Sequence, residues 1–142
     1  MKLSLIFTSI VVLITSVHSQ SESYPVTYSS IYDDLEQPVT ILACGGSLKA
    51  KNYTTLGSLP NPNFIGGGFP VTGYDSGCFT CWQLINIDGS KTTNLLVVDA
   101  ASPGFNVGSK LYGALGGEGN LYVSAVEIDP SICQIPKVCK LP

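Results

Sequence analysis

The chain has 142 residues, 44% of them hydrophobic and 12% charged, with a formal net charge of −3. All seven basic residues are lysine, and so sparse and outnumbered a basic set disfavours nucleic acid and anionic membranes as partners. The only histidine, His18, and the only methionine both fall in the first 19 residues.

Residues 1–19 read as a secretory signal peptide. Lys2 gives a short positive start, residues 3–17 are mostly apolar, and Val17-His18-Ser19 suits signal peptidase. The run is too short and wrongly flanked for a membrane anchor, and no later run is long enough to span a bilayer. A cut before Gln20 leaves about 123 residues, with six lysines facing ten acids, a net charge of about −4. Residues 20–142 then form one domain with one modest core. The cut also removes the only imidazole, which excludes a Ser-His-Asp or Cys-His arrangement and any His-ligated metal. Catalysis, if there is any, has to come from Asp, Glu, Lys, Tyr or Cys. Five cysteines in a secreted chain point to disulfides. The odd count leaves one unpaired, or paired outside the chain.

Residues 25–28 and 39–44 are predicted as strands from their β-branched content and alternation. The acidic stretch 32–38 is a loop between them, and Gly45-Gly46-Ser47 is a turn. Asn52-Tyr53-Thr54 is a glycosylation sequon, which places Asn52 at the surface. Residues 55–59 predict a short helical turn. Gly66-Gly67-Gly68 predicts a tight turn with close chain packing rather than a phosphate cradle, since no Gly-Lys-Ser follows. Residues 69–74 are a candidate short strand.

The centre of the chain is Cys78-Phe79-Thr80-Cys81-Trp82-Gln83-Leu84-Ile85-Asn86-Ile87 followed by Asn94-Leu95-Leu96-Val97-Val98-Asp99. Asp88-Gly89 between them is a strong hairpin signal. The two runs predict paired strands, stapled at one end and carrying the Asp99 carboxylate at the other. Asn106 is expected to cap a helix whose apolar positions are Val107, Leu111, Ala114 and Leu115, ending at Gly116-Gly117. Residues 121–128 are the last strand, and the Pro- and Cys-bearing tail is irregular. Short strands, Gly/Pro turns and no alternating βα order suggest a small closed β-barrel.

Two cysteines three apart in an extended chain point to opposite faces, so Cys78 and Cys81 suit separate structural bridges. A redox pair would sit at a helix N-terminus, and a zinc site would consume four of the five thiolates. No metal and no cofactor are expected. Asp99, at the end of a buried strand, is the candidate acid. Inverting hydrolysis needs a second carboxylate about 6.5–9.5 Å away, and only Asp33, Asp34 and Asp75 offer one. Trp82, Tyr28 and Tyr122 are assigned to core packing.

The motifs Tyr32-Asp33-Asp34, Tyr53-Thr54-Thr55-Leu56-Gly57-Ser58-Leu59-Pro60, Ile65-Gly66-Gly67, Cys78 to Leu84, Val97-Val98-Asp99, Gly104-Phe105-Asn106 and Val138-Cys139-Lys140-Leu141 occur in that order. Together they resemble the cerato-platanin family of small secreted fungal proteins. The resemblance implies a mainly β fold, a six-stranded double-psi β-barrel with one or two short helices. It implies disulfides Cys44–Cys78 and Cys81–Cys139, with Cys133 as an extra cysteine and the alternative partner of Cys81. It further implies binding of chitin oligomers or other cell-wall glucans, expansin-like wall loosening without established hydrolysis, and elicitation of plant defence through a plant receptor. The expected carbohydrate-binding set is Asp99, Asn106, Gln83, Tyr74, Asp33, Tyr32 and Phe105. The expected location is extracellular or the fungal cell wall, as a monomer or a Cys133-linked dimer. Two alternatives accompany this reading: a weak glycoside-cleaving enzyme using Asp99 as general acid, and a surface-active hyphal coat protein. Ser29 departs from the family where many members carry Asp, and Phe79 where many carry Gly.

Overall fold

The predicted central hairpin forms. β3 (Cys81–Asn86) and β4 (Thr92–Ala100) pair antiparallel with Cys81 opposite Leu96 and Ile85 opposite Thr92. At the turn, Gly89 takes a φ of 73° and Ser90 donates its N–H to the Asp88 carboxylate, the turn chemistry expected of Asp-Gly. The computed structural model describes residues 22–72 and 76–134. The expected signal segment 1–19, Tyr74, Asp75 and Cys139 lie outside the described residues.

Around the hairpin the remaining strands are β1 (Ser23–Tyr28), β2 (Ile65–Gly68), β5 (Phe105–Val107) and β6 (Leu121–Ile128). They close in the order β1-β5-β2-β4-β3-β6. The β1/β5 and β2/β4 pairs are parallel and the others antiparallel, so this is the six-stranded double-psi barrel. Closure leaves no open sheet edge. Inside lie Val26, Leu84, Leu95, Val97, Phe105, Val107 and Val123, all buried. At one end Tyr24, Phe69, Trp82 and Phe105 stack together with ring centroids 4.8–6.0 Å apart. Trp82 packs as predicted, and its indole N–H reaches the Thr80 hydroxyl at 3.1 Å.

The triple glycine is a strand, not a turn. β2 is buried along its whole length, and it lacks side chains because its neighbours approach closely. A Cβ on Gly66 would sit 2.4 Å from the Asn106 carbonyl oxygen, and one on Gly67 2.7 Å from that of Ala100. The expected close packing is therefore present in an unexpected element.

Residues 39–44 do not form the predicted strand. They make a 3-10 turn, Val39–Ile41, leading into α1 (Gly45–Ala50) where a turn was expected. A β-branched segment needs a strand partner, and the closed barrel offers none. Just before the segment, Pro38 makes an isolated bridge with Thr55. The predicted helical turn at 55–59 is present as Leu56–Ser58 with a capping box from Thr55. Phe69 and Pro70 form a turn rather than a strand.

Asn106 does not cap a helix. It lies in β5, and α2 (Ser109–Ala114) begins only after Gly108. The tail is not wholly irregular: α3 (Pro130–Gln134) follows β6.

Both bridges of the barrel join Cys78 and Cys81 to different elements, as their spacing implies. Cys44–Cys78 ties the start of α1 to the segment before β3. The second bridge corrects the expected pairing: Cys81 bonds Cys133, not Cys139. Cys81 sits opposite Ile128 in the β3/β6 ladder, so α3, which begins two residues later, delivers Cys133 to within 5.6 Å, Cα to Cα. Proximity set by the ladder decides the partner, and Cys139 becomes the odd cysteine by count.

Candidate carbohydrate-binding face

Asp99 stands on β4 just past a register shift. Gly66 pairs with Val97, but Gly67 pairs with Asp99, leaving Val98 as the bulged residue. Bulges re-aim side chains next to sites. On its other side Gly67 pairs with Asn106 of β5, and Asn106 pairs with Thr27 of β1. Laterally paired residues project from the same face of a sheet. Thr27, Asn106 and Asp99 therefore share the outer face of the barrel, and Gly67 leaves a gap between the last two. Asp99 and Asn106 are two strand spacings apart, about 10 Å.

The Asp99 carboxylate is held by three protein donors. Oδ1 accepts the Ala43 N–H at 2.7 Å and the Ala100 N–H at 2.9 Å, and Oδ2 accepts the Tyr32 hydroxyl at 2.9 Å. A carboxylate offers about four acceptor positions, so roughly one is left for a ligand hydroxyl. The Tyr32 ring is buried. Its burial, the Asp99 charge beside it and the bond to that carboxylate push its hydroxyl pKa well above the ordinary phenol value. Tyr32 thus stays a proton donor that fixes Asp99, and its ring face is not available to a ligand.

The other expected site residues fall in different places. Asp33 binds α2: its carboxylate accepts the Ser109 N–H at 2.7 Å, the Ser109 hydroxyl and the Lys110 N–H. Partial burial raises its pKa, but these hydrogen bonds and the Lys110 charge outweigh it and hold the carboxyl below its usual range. Phe105 is a core residue, 1% exposed, because it precedes Asn106 on β5 and faces inward with Val26 and Gly68. Gln83 sits opposite Asn94, five residues back along β4 from Asp99 and so about 16 Å away. It lines a separate groove beside Cys133. Asp34 is engaged within its own loop, by the Glu36 N–H and the Gln37 side chain. The structure brings together Asp99, Asn106 and Tyr32, and not Gln83, Asp33 or Phe105.

Sequence reasoning missed Thr27, Gly67 and the Ala43 N–H. Thr27 had a readable signal, since Val26 alternates with it as the inward residue. The Ala43 N–H had none, because its segment was expected to be a strand. The core assignment also fails for Tyr28 and Tyr122, which are 60% and 47% exposed. Asn106 carries one further oddity: its Oδ1 is buried and, among the described residues, has no hydrogen-bond partner. No group of three His, Cys, Asp or Glu side chains among the described residues is arranged to hold a metal ion.

A disulfide-stapled, closed six-stranded barrel with few short helices is the fold this chain shares with solved cerato-platanins. The family's sequence pattern matches residues 24–135, and the chain belongs to the cerato-platanin family. The chain is 31% identical to cerato-platanin of Ceratocystis fimbriata f. sp. platani over 130 residues, covering 88% of this chain and 94% of that protein. It is 28% identical to a heat-stable 19 kDa antigen of Coccidioides posadasii over 140 residues, covering 92% and 94%. Among solved structures, cerato-platanin 3 of M. perniciosa superposes with a TM-score of 0.71 at 31% identity, covering 80% of this chain and 100% of that one. The solution structure of the fungal elicitor cerato-platanin gives 0.67 at 30% identity, covering 77% and 95%.

Proposed function

We propose that this protein is a secreted, non-hydrolytic carbohydrate-binding protein. It engages chitin oligomers or related wall glucans on the Asp99 face, with expansin-like action on the wall and recognition by plant defence. The observation that carries this reading is the pairing of Asp99 and Asn106 across side-chain-free Gly67. A fixed carboxylate, an amide and a hydroxyl on one face suit the hydroxyls of a neutral sugar.

The non-hydrolytic reading rests on the acids of the described residues, which do not include Asp75. Asp33 and Asp34 are engaged elsewhere, and Ser29 stands where many relatives have an acid. Asp99 alone can bind or protonate a glycosidic oxygen, but it does not activate water on the opposite face. The two disulfides fit an oxidising, extracellular compartment. The elicitor role is supported by kinship with a solved fungal elicitor at 30% identity.

Isothermal titration with a soluble chitin oligomer tests the reading. Asp99→Asn removes the charge from a charge-assisted hydrogen bond and is expected to weaken binding by about tenfold or more. Unchanged affinity in that variant would exclude Asp99 from the sugar site. New reducing ends after prolonged incubation would make the protein an enzyme.

A further inference from the structure

Beyond the Asp99 face, the strands carry a second surface with sugar-binding chemistry. Tyr28, at the end of β1, and Tyr122, on β6, are exposed large aromatics flanking a depression of about 300 Å³. A neighbouring depression of about 580 Å³ shares Tyr28, Tyr112, Gly119 and Asn120 with it. No charged residue is among the described residues lining either one. Tyr28, Asn120 and Tyr122 all line the first depression and are exposed.

The cleft is prearranged. The Tyr112 ring of α2 packs against the Tyr28 ring at 4.9 Å between centroids, and its hydroxyl donates to the Gly119 carbonyl. Tyr112 lies so close to Gly117 that a Cβ there would come within 2.2 Å of the ring. An exposed ring held from behind loses little freedom on binding.

We propose that the Tyr28–Tyr122 cleft is a second sugar-contacting surface, where the C–H faces of a neutral polysaccharide chain lie against the two tyrosine rings. It rests on the sugar-binding reading of the Asp99 face and extends it. The aromatic ring face is electronegative and attracts the slightly positive C–H groups of a pyranose. The uncharged lining suits an uncharged chain. The cleft also adjoins the Asp99 face, since Thr27 belongs to both. A chain several sugars long can therefore span from one to the other, whereas a single sugar cannot.

The test is an NMR titration with a chitin hexamer, reading backbone amides on both surfaces. Shifts at Gly113, Gly119 and Asn120 together with shifts at Ala43, Ala100 and Asn106 are expected. Tyr28→Ala combined with Tyr122→Ala should weaken hexamer binding by about tenfold, while the paired Tyr→Phe variant should bind as the parent does. Both rings are exposed, so the Ala variant is expected to fold, and unchanged amides around Asp99 verify it. Shifts confined to the Asp99 side, or full affinity in the folded Ala variant, would overturn the cleft and leave the Asp99 face standing. Shifts in the cleft alone would support the cleft and remove the Asp99 face. No shift on either surface would overturn both.

Discussion

Tyr32 shows how one side chain links folding to the site. Its phenol is buried and donates to Asp99, so the folded state holds this proton more tightly than the unfolded chain does. A pKa raised on folding adds stability below the unfolded value, near 10, and loses it as pH rises from there toward the folded value. The parent protein should therefore melt progressively lower above about pH 10, and Tyr32→Phe should show a shallower alkaline decline in Tm. An identical pH dependence in the variant would place the tyrosine outside the stability balance. Gly66 and Gly46 make a second contrast. A Cβ on Gly66 meets backbone at 2.4 Å, while one on Gly46, in α1, meets nothing within 4 Å. Gly66→Ala should cost about 2–4 kcal/mol in denaturant unfolding, and Gly46→Ala should be neutral or stabilise by up to about 1 kcal/mol. The glycine run was legible as a place of close packing. Its strand conformation was not, because glycine carries no β propensity to read.

At the scale of elements, what was legible depended on whether the stabilising partner was local. The β3/β4 hairpin carries its own turn signal and its own apolar run, and both strands were placed. α2 is different. Its cap is Asp33, 76 residues away in sequence, so the helix start was misassigned to Asn106, the nearest residue with capping chemistry. Residues 39–44 likewise have strand-like composition but no strand to join in a closed barrel. The same physics explains the site. The position of Asp99 at the end of an apolar strand was legible from the chain alone, while the faces on which Gln83 and Phe105 lie were not, because face and register are set by pairing. The Asp33 cap gives a direct prediction. Asp33→Asn should destabilise the protein by about 0.3–1 kcal/mol near neutral pH. Because folding lowers the Asp33 pKa, its contribution is present above the unfolded value and is lost as pH falls through the folded one. The stability gap between parent and variant should therefore narrow in acid, and a gap independent of pH would assign the loss to something other than the carboxylate charge.

For the molecule as a whole, the two bridges decide how the barrel and its outer helices stay together. Cys81–Cys133 closes a loop of 52 residues and Cys44–Cys78 one of 34. By chain-entropy reasoning each restricts the unfolded chain by about 4 kcal/mol. That is a large share of the 5–15 kcal/mol typical of a domain. The first bridge anchors α3 against β3 beside the Gln83 groove, and the second anchors α1 against the segment before β3, beside the strand that carries Asp99. Cys133→Ser should lower Tm sharply, whereas Cys139→Ser should leave it nearly unchanged, and non-reducing peptide mapping should recover a Cys81–Cys133 fragment. Recovery of a Cys81–Cys139 fragment with loss of stability in Cys139→Ser would restore the pairing first expected from the ending of the chain. If the observed pairing holds, any intermolecular disulfide forms through Cys139. Dimers on non-reducing gels should then disappear in Cys139→Ser.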